Sequence, residues 1–182
     1  MTEKDFKREI VNKISQGDSK SLIYNEYKDK MDTENLRRFL ANRPSYDLWK
    51  KFKKRHLLLS VIWAFYLFFE LMSIFDLLEQ FNIMTFISLL LSIYITISIW
   101  KFDGRFFLSG IVWFVVTILR SFNVLGSEFI TYDYKFVLIF IMLYTVTLTL
   151  GIYLMYSIRK HVFYYIKWFK PILNEEGEIQ YE

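Results

Sequence analysis

Apolar residues follow two regimes along this chain. Up to His56 they recur every three or four positions among charges, and beyond it they form four nearly unbroken runs, 57–78, 83–100, 106–125 and 136–158. Each run is about 18–23 residues long, enough at ~1.5 Å per residue to cross a hydrocarbon core of ~30 Å. A helix that is apolar all round has no face for water, so the runs predict four transmembrane helices rather than a globular core. The first two connectors hold only four and five residues, which makes neighbouring helices antiparallel. The expected fold class is therefore all-α: a polytopic membrane protein with an up-down four-helix bundle over 57–158 and an N-terminal three-helix head.

The leader reads as short amphipathic helices. Phe6, Ile10 and Ile14 share a face at four-residue spacing, and Gly17 follows where a left-handed C-cap residue belongs. Asp18 or Ser19 caps a second segment carrying Leu22, Ile23, Tyr24 and Tyr27, and Asp32 or Thr33 caps a third carrying Leu36, Phe39 and Leu40. Pro44 closes the head, expected over 1–44. Residues 45–56, with Trp49 and Phe52 among basic side chains, predict a juxtamembrane helix that lies at the headgroup layer or runs into the first span. Residues 159–182 predict an interfacial aromatic and basic helix and then an acidic cytosolic tail.

Charge orients the bundle. Lys and Arg number fifteen before Leu57, none between Leu78 and Ile83, two in the second connector (Lys101, Arg105), one in the third (Lys135) and four after Ile158. Basic connectors stay on the cytosolic side, so both termini are expected inside, in a bacterial inner membrane. The first residues lack an apolar stretch, which makes the first span an expected uncleaved anchor rather than a signal peptide. Lys50, Lys51, Lys53, Lys54, Arg55, Arg159 and Lys160 are the expected contacts to anionic headgroups, at ~1 kcal/mol for each basic residue near the surface.

In outline, three short helices joined by tight turns resemble a helix-turn-helix domain, and the leader has fifteen basic against nine acidic residues. Its strongest basic cluster, Lys50 to Arg55, abuts the first span, so the anionic inner leaflet is the expected partner and nucleic acid is not. The thin head core points to support from the bundle, from lipid, from a protein partner or from a second copy of the chain.

Within the spans, Glu70 and Arg120 stand at matching depth, ~12 Å and ~8 Å below the outer interface by the helical rise. Charges there are costly unless partnered, so Glu70, Asp76 and Arg120 are expected to form one intramembrane cluster. Thr85, Ser88, Ser92 and Thr96 share a face of the second span; Thr145 with Thr149, and Thr147 with Gly151, do so on the fourth. Such small residues let helices approach closely, and the same stripes would line a conduit between protomers. His56 and His161 sit at the inner boundary and read as interfacial histidines rather than a metal site.

Chemistry is sparse. The chain has no cysteine and six glycines, with no phosphate-cradling loop, zinc-binding His pair or nucleophile elbow. No catalytic residue and no cofactor is expected. The reading is a non-enzymatic membrane subunit, an interaction, scaffold or sensor protein whose head binds a partner; the alternative is a homo-oligomeric channel or pore-forming effector of the toxin or phage-defence type.

Overall fold

A computed structural model describes residues 2–77, 83–128, 134–175 and 177–181, without the side chains of 73–77, 123–128, 134 and 137. Among the described residues it is all-α apart from one small hairpin and an isolated bridge between Leu173 and Ile179. The helices are α1 (Glu3–Gln16), α2 (Lys20–Tyr27), α3 (Thr33–Ala41), α4 (Tyr46–Leu77), α5 (Ile83–Trp100), α6 (Phe106–Glu128) and α7 (Tyr134–Val162), followed by β1 (Ile166–Lys167) and β2 (Lys170–Pro171). Three helices are long and apolar enough to cross a membrane: α4 through Met72, α5, and α7 from Leu138. α6 contributes a shorter apolar stretch, Phe106–Phe122.

Local chemistry fixes the first three helices. The Thr2 hydroxyl accepts from the Asp5 amide while the Asp5 carboxylate accepts from the Thr2 amide at 2.8 Å, closing a capping box at the start of α1. Gly17 ends α1 in the left-handed region at φ 104°, its N–H donating to Ile14 O at 3.2 Å. Ser19 caps α2 and Asp32 caps α3. The apolar faces then close on one another as a small core of Ile10, Ile14, Ile23, Tyr27, Leu36 and Leu40.

The basic segment before the first apolar run is continuous with it, since α4 runs unbroken from Tyr46 to Leu77. The end of α4 nearest the head meets the C-terminal ends of α5 and α7. His56 Nε2 lies 2.8 Å from Ile99 O, Arg55 donates to Ser157 Oγ at 2.9 Å, and the Phe52 ring stacks on His161 at 5.8 Å. The centre is aromatic. Trp63 stacks on Phe114 at 4.3 Å, and both are fully buried. Gly151 makes that approach possible: a Cβ there would lie 2.6 Å from the Phe114 ring. Around this core Leu57, Val61, Phe68, Ile83, Met84, Leu119, Phe136, Met142, Leu143 and Val146 face outward, an apolar exterior suited to lipid.

The interfacial helix expected to open the segment 159–182, ahead of its acidic tail, is replaced after its first turn. α7 ends at Val162, and the chain then turns through the β1–β2 hairpin, where Ile166 pairs with Pro171 and Trp168 takes φ 57°. Pro171 cannot continue a helical hydrogen-bond ladder, and the run Phe163 to Phe169 favours extended backbone. Tertiary burial completes the change, because Phe163 and Tyr165 pack inward on the bundle. The Phe163 ring contacts Phe102 and Phe107 at 5.8 and 5.6 Å.

Candidate functional site

Two polar centres stand out, one inside the bundle and one where the head meets it. The first is built on Tyr66, fully buried on α4. Its hydroxyl donates to the Glu70 carboxylate one turn along the same helix. The same oxygen accepts from Trp113 Nε1 on α6 at 2.8 Å and lies 3.2 Å from Ser92 Oγ on α5. Trp113 Nε1 also reaches Ser92 Oγ, at 3.0 Å. A phenol offers one donor and two acceptor positions, so Tyr66 is engaged on both sides while it links three helices. Sequence reasoning singled out Glu70 and Ser92, in two separate groupings, and missed Tyr66 and Trp113. The available signal was Tyr66 four residues before Glu70 on one face of an apolar helix.

Of the expected intramembrane cluster, Glu70 is partly buried in this network, whereas Arg120 lies on an exposed face of α6. The ion pairs among the described residues do not join them. Matching depth did not make them neighbours, because rotation about the helix axes is set by packing. Gly110, for example, lies so close to Met155 and Ile99 that a Cβ would fall 2.6 and 2.8 Å from them. The Asp76 side chain lies outside the described residues.

The hydroxyl stripe of α5 faces inward. Ser92 and Thr96 are fully buried, and Thr85 and Ser88 partly so. Thr96 Oγ1 donates to Ser92 O at 2.7 Å. On α7, Thr147 and Thr149 donate to Leu143 O and Thr145 O one turn back, each at 2.8 Å. The buried Thr145 hydroxyl has no hydrogen-bond partner among the described residues. Within one protomer the inward side of α5 is thus met by Tyr66 and Trp113.

The second centre joins the linker after α3 to the connector between α5 and α6. Gly104 N–H donates to Asn42 O at 3.1 Å, and the Arg43 guanidinium donates to Lys101 O. Phe102, the second residue after α5, sits in the left-handed region at φ 55°, and Asp103 N–H reaches back to Ser98 O at 3.1 Å. That pattern normally takes glycine. Here the Phe102 ring stacks on His56 at 4.1 Å and is buried against Phe107 and Phe163, so packing offsets the backbone strain. Asp103 accepts two bonds from the Arg105 guanidinium, Nε at 3.1 Å and Nη2 at 2.7 Å, which hold it above its usual pKa, and a third from the Arg105 N–H at 3.2 Å. Burial pulls that of Arg43 the other way.

At another contact of the head, Lys20 is almost fully buried. Its Nζ donates to the Tyr165 hydroxyl at 3.1 Å and to Tyr181 O at 2.7 Å. Arg37 pairs with Glu178 at 2.6 Å, and Tyr24 stacks on Tyr181 at 5.6 Å, so the last residues are fastened to α2 and α3. Of the expected headgroup cations, Arg55 and Arg159 bind protein acceptors: Ser157 Oγ for the first, and for the second Ile166 O and Trp168 O at 3.3 and 2.9 Å. Lys50, Lys51, Lys53, Lys54 and Lys160 are exposed. His161 Nδ1 lies 2.8 Å from Ser157 O, and His56 is held by Ile99 O, so each histidine engages backbone. Comparison with protein-family models, with curated proteins and with solved structures finds no match to this chain.

Proposed function

We propose that this protein is a non-enzymatic membrane subunit that couples a cytosolic three-helix head to a four-span bundle, so that a partner bound at the head is felt by the helices. α6, at 23 residues, reaches ~34 Å by the helical rise and supplies the fourth span. Both termini lie on the basic, cytosolic side. The observation that carries the reading is the double fastening of the head. One contact ties it through Asn42 and Arg43 to the α5–α6 connector, another through Lys20 and Tyr181 to the segment that follows α7. A head that served only as a solubilising leader would not need anchorage to two separate parts of the bundle.

Expression in cells with a membrane-potential dye and a head-binding screen tests this against a pore. The expected result is a tight membrane and a stoichiometric complex that is lost on exchange of exposed head residues. Ion leakage that falls when Ser92 or Thr96 is replaced by alanine would overturn the proposal in favour of a channel.

A further inference from the structure

A cavity of about 180 Å³ opens at the head–bundle junction, between α1, the linker after α3, the start of α4 and the end of α5. Its walls include Arg43, Tyr46, Trp49, His56, Trp100 and Lys101, and no carboxylate is among the lining residues. The carboxylate that acts on Arg43 from outside the cavity is Asp103, which the Arg105 guanidinium already engages through two bonds. Arg43 itself donates to one acceptor, Lys101 O, out of five N–H groups. A half-buried guanidinium beside a lysine, with no carboxylate among the lining residues, leaves positive charge in the wall for an anion to neutralise.

The position of the cavity selects the occupant. Trp49, Lys53 and Leu57 follow one another at four-residue spacing on one face of α4, with Lys53 Nζ 5.0 Å over the Trp49 ring and Leu57 64% exposed. On the facing helix Trp100 is 46% exposed and donates from Nε1 to Ser60 O at 3.2 Å, and Ile97 one turn deeper is also exposed. The cavity wall carries both the cations and the two indoles, and outward from it the surface passes to bare aliphatic side chains at Leu57 and Ile97. A phospholipid matches this with its anion and glycerol at one end and its acyl chains beyond. We infer that this cavity binds the phosphate of an anionic glycerophospholipid, whose acyl chains run along Leu57 and Ile97. Free inorganic phosphate shares the anion but would make no use of the aliphatic track. The inference rests on the proposed placement of the junction at the inner headgroup layer.

The test is native mass spectrometry of the full chain in mild detergent, titrated with dioleoylphosphatidylglycerol or dioleoylphosphatidylcholine. One adduct of the anionic lipid is expected, favoured about tenfold over the zwitterionic one. Arg43→Gln and Lys101→Gln should each weaken it at least about fivefold, while Lys4→Gln on α1 leaves it within about twofold. Lys101→Gln keeps the backbone carbonyl that Arg43 uses, so it reads the charge without removing that bond. Equal binding of the two lipids, or adducts unchanged in both variants, would overturn the inference. So would complete displacement by millimolar inorganic phosphate, which would assign the cavity to the free ion. Alkaline carbonate extraction separates the two readings. Extraction of the protein together with Arg43-dependent lipid binding would refute membrane crossing and support the cavity, whereas retention with Arg43-independent binding would refute the cavity alone.

Discussion

Tyr66 and Glu70 lie one turn apart on α4, the phenol hydroxyl donating to the carboxylate while Trp113 donates to the phenol oxygen from α6. The carboxylate thus accepts from a neutral donor inside an apolar bundle. Removing the hydroxyl in Tyr66→Phe should lower stability by about 1–3 kcal/mol, since it takes a partner from Glu70 and one of two acceptors from Trp113. In Tyr66→Phe/Glu70→Gln the losses should fall short of additive by at least ~0.5 kcal/mol, read from melting in detergent. Arg120→Leu combined with Glu70→Leu should instead be additive, because these residues form no ion pair. A non-additive Arg120 cycle would restore a direct coupling between Glu70 and Arg120 that the geometry does not show.

Gly104 is where the α5–α6 connector touches the segment after α7. A Cβ there would fall 2.5 Å from Cδ1 of the Phe163 ring, which is fully buried and has no solvent to move into. Gly104→Ala should therefore cost about 1–3 kcal/mol through overpacking, and Phe163→Leu should restore part of it in the double variant. A melting temperature unchanged by Gly104→Ala would mean that the junction yields more easily than its packing implies.

What the sequence made legible was what local chemistry decides. Gly17, Ser19 and Asp32 act as caps because glycine tolerates positive φ and short oxygens reach the next free amides, and both facts hold without tertiary context. The apolar runs 83–100 and 136–158 are legible for the same reason, as length and composition suffice. The hairpin after Val162 was not legible. Phe163, Tyr165 and Ile166 are aromatic and aliphatic among cations, which suits a lipid surface equally well, and only burial against Phe102 and Phe107 decides otherwise. For Glu70, depth could be counted along the chain but its neighbours could not. Tyr66 and Trp113 look in sequence like any other rings in an apolar span. Lys20 shows the limit most plainly: nothing near it in sequence announces a buried amine, whose acceptors Tyr165 and Tyr181 lie more than a hundred residues away.

The α1 capping box gives a pH prediction with a definite sign. The Thr2 amide, and after it the Thr2 hydroxyl, hold the Asp5 carboxyl below its ordinary pKa in the folded protein. A depressed folded pKa contributes stability that is present above the unfolded value and is lost as pH falls through the folded one. Amide protection at the start of α1, corrected for intrinsic exchange, should be constant at neutral pH and decline from about pH 4 downward. Asp5→Asn should abolish that decline. A decline that persists in the variant would assign it to another carboxylate.

The proposed orientation rests on the charge asymmetry, and a chain without cysteine is well suited to test it. A single cysteine at Gln80, in the connector between the first two apolar runs, should react with an impermeant maleimide from outside intact cells. Cysteines at Asn25 on α2 and at Glu175 near the end should react only after permeabilisation. Labelling of Asn25→Cys from outside would reverse the assigned sides.

Lys20 fastens the last residues to the head. Its Nζ donates to Tyr181 O and to the Tyr165 hydroxyl, and beside these contacts Ile179 is buried with 7% exposure. A thiol at position 179 should therefore react only when the segment lifts away, at a rate set by the open population. Charge-assisted hydrogen bonds of this kind are worth about 1.5–3 kcal/mol, and each ~1.4 kcal/mol is a factor of ten in that population. Lys20→Ala in an Ile179→Cys background should accordingly speed thiol labelling about ten- to a hundredfold without shifting the melting of the bundle to the same degree. Glu178→Ala, which removes the exposed partner of the ion pair with Arg37 and leaves the Arg37 contacts to Tyr24 and Tyr181, should have a smaller effect, since such pairs contribute ~0.2–1 kcal/mol. Equal acceleration in the two variants would show that the segment is held by its surface charges and not by the buried lysine.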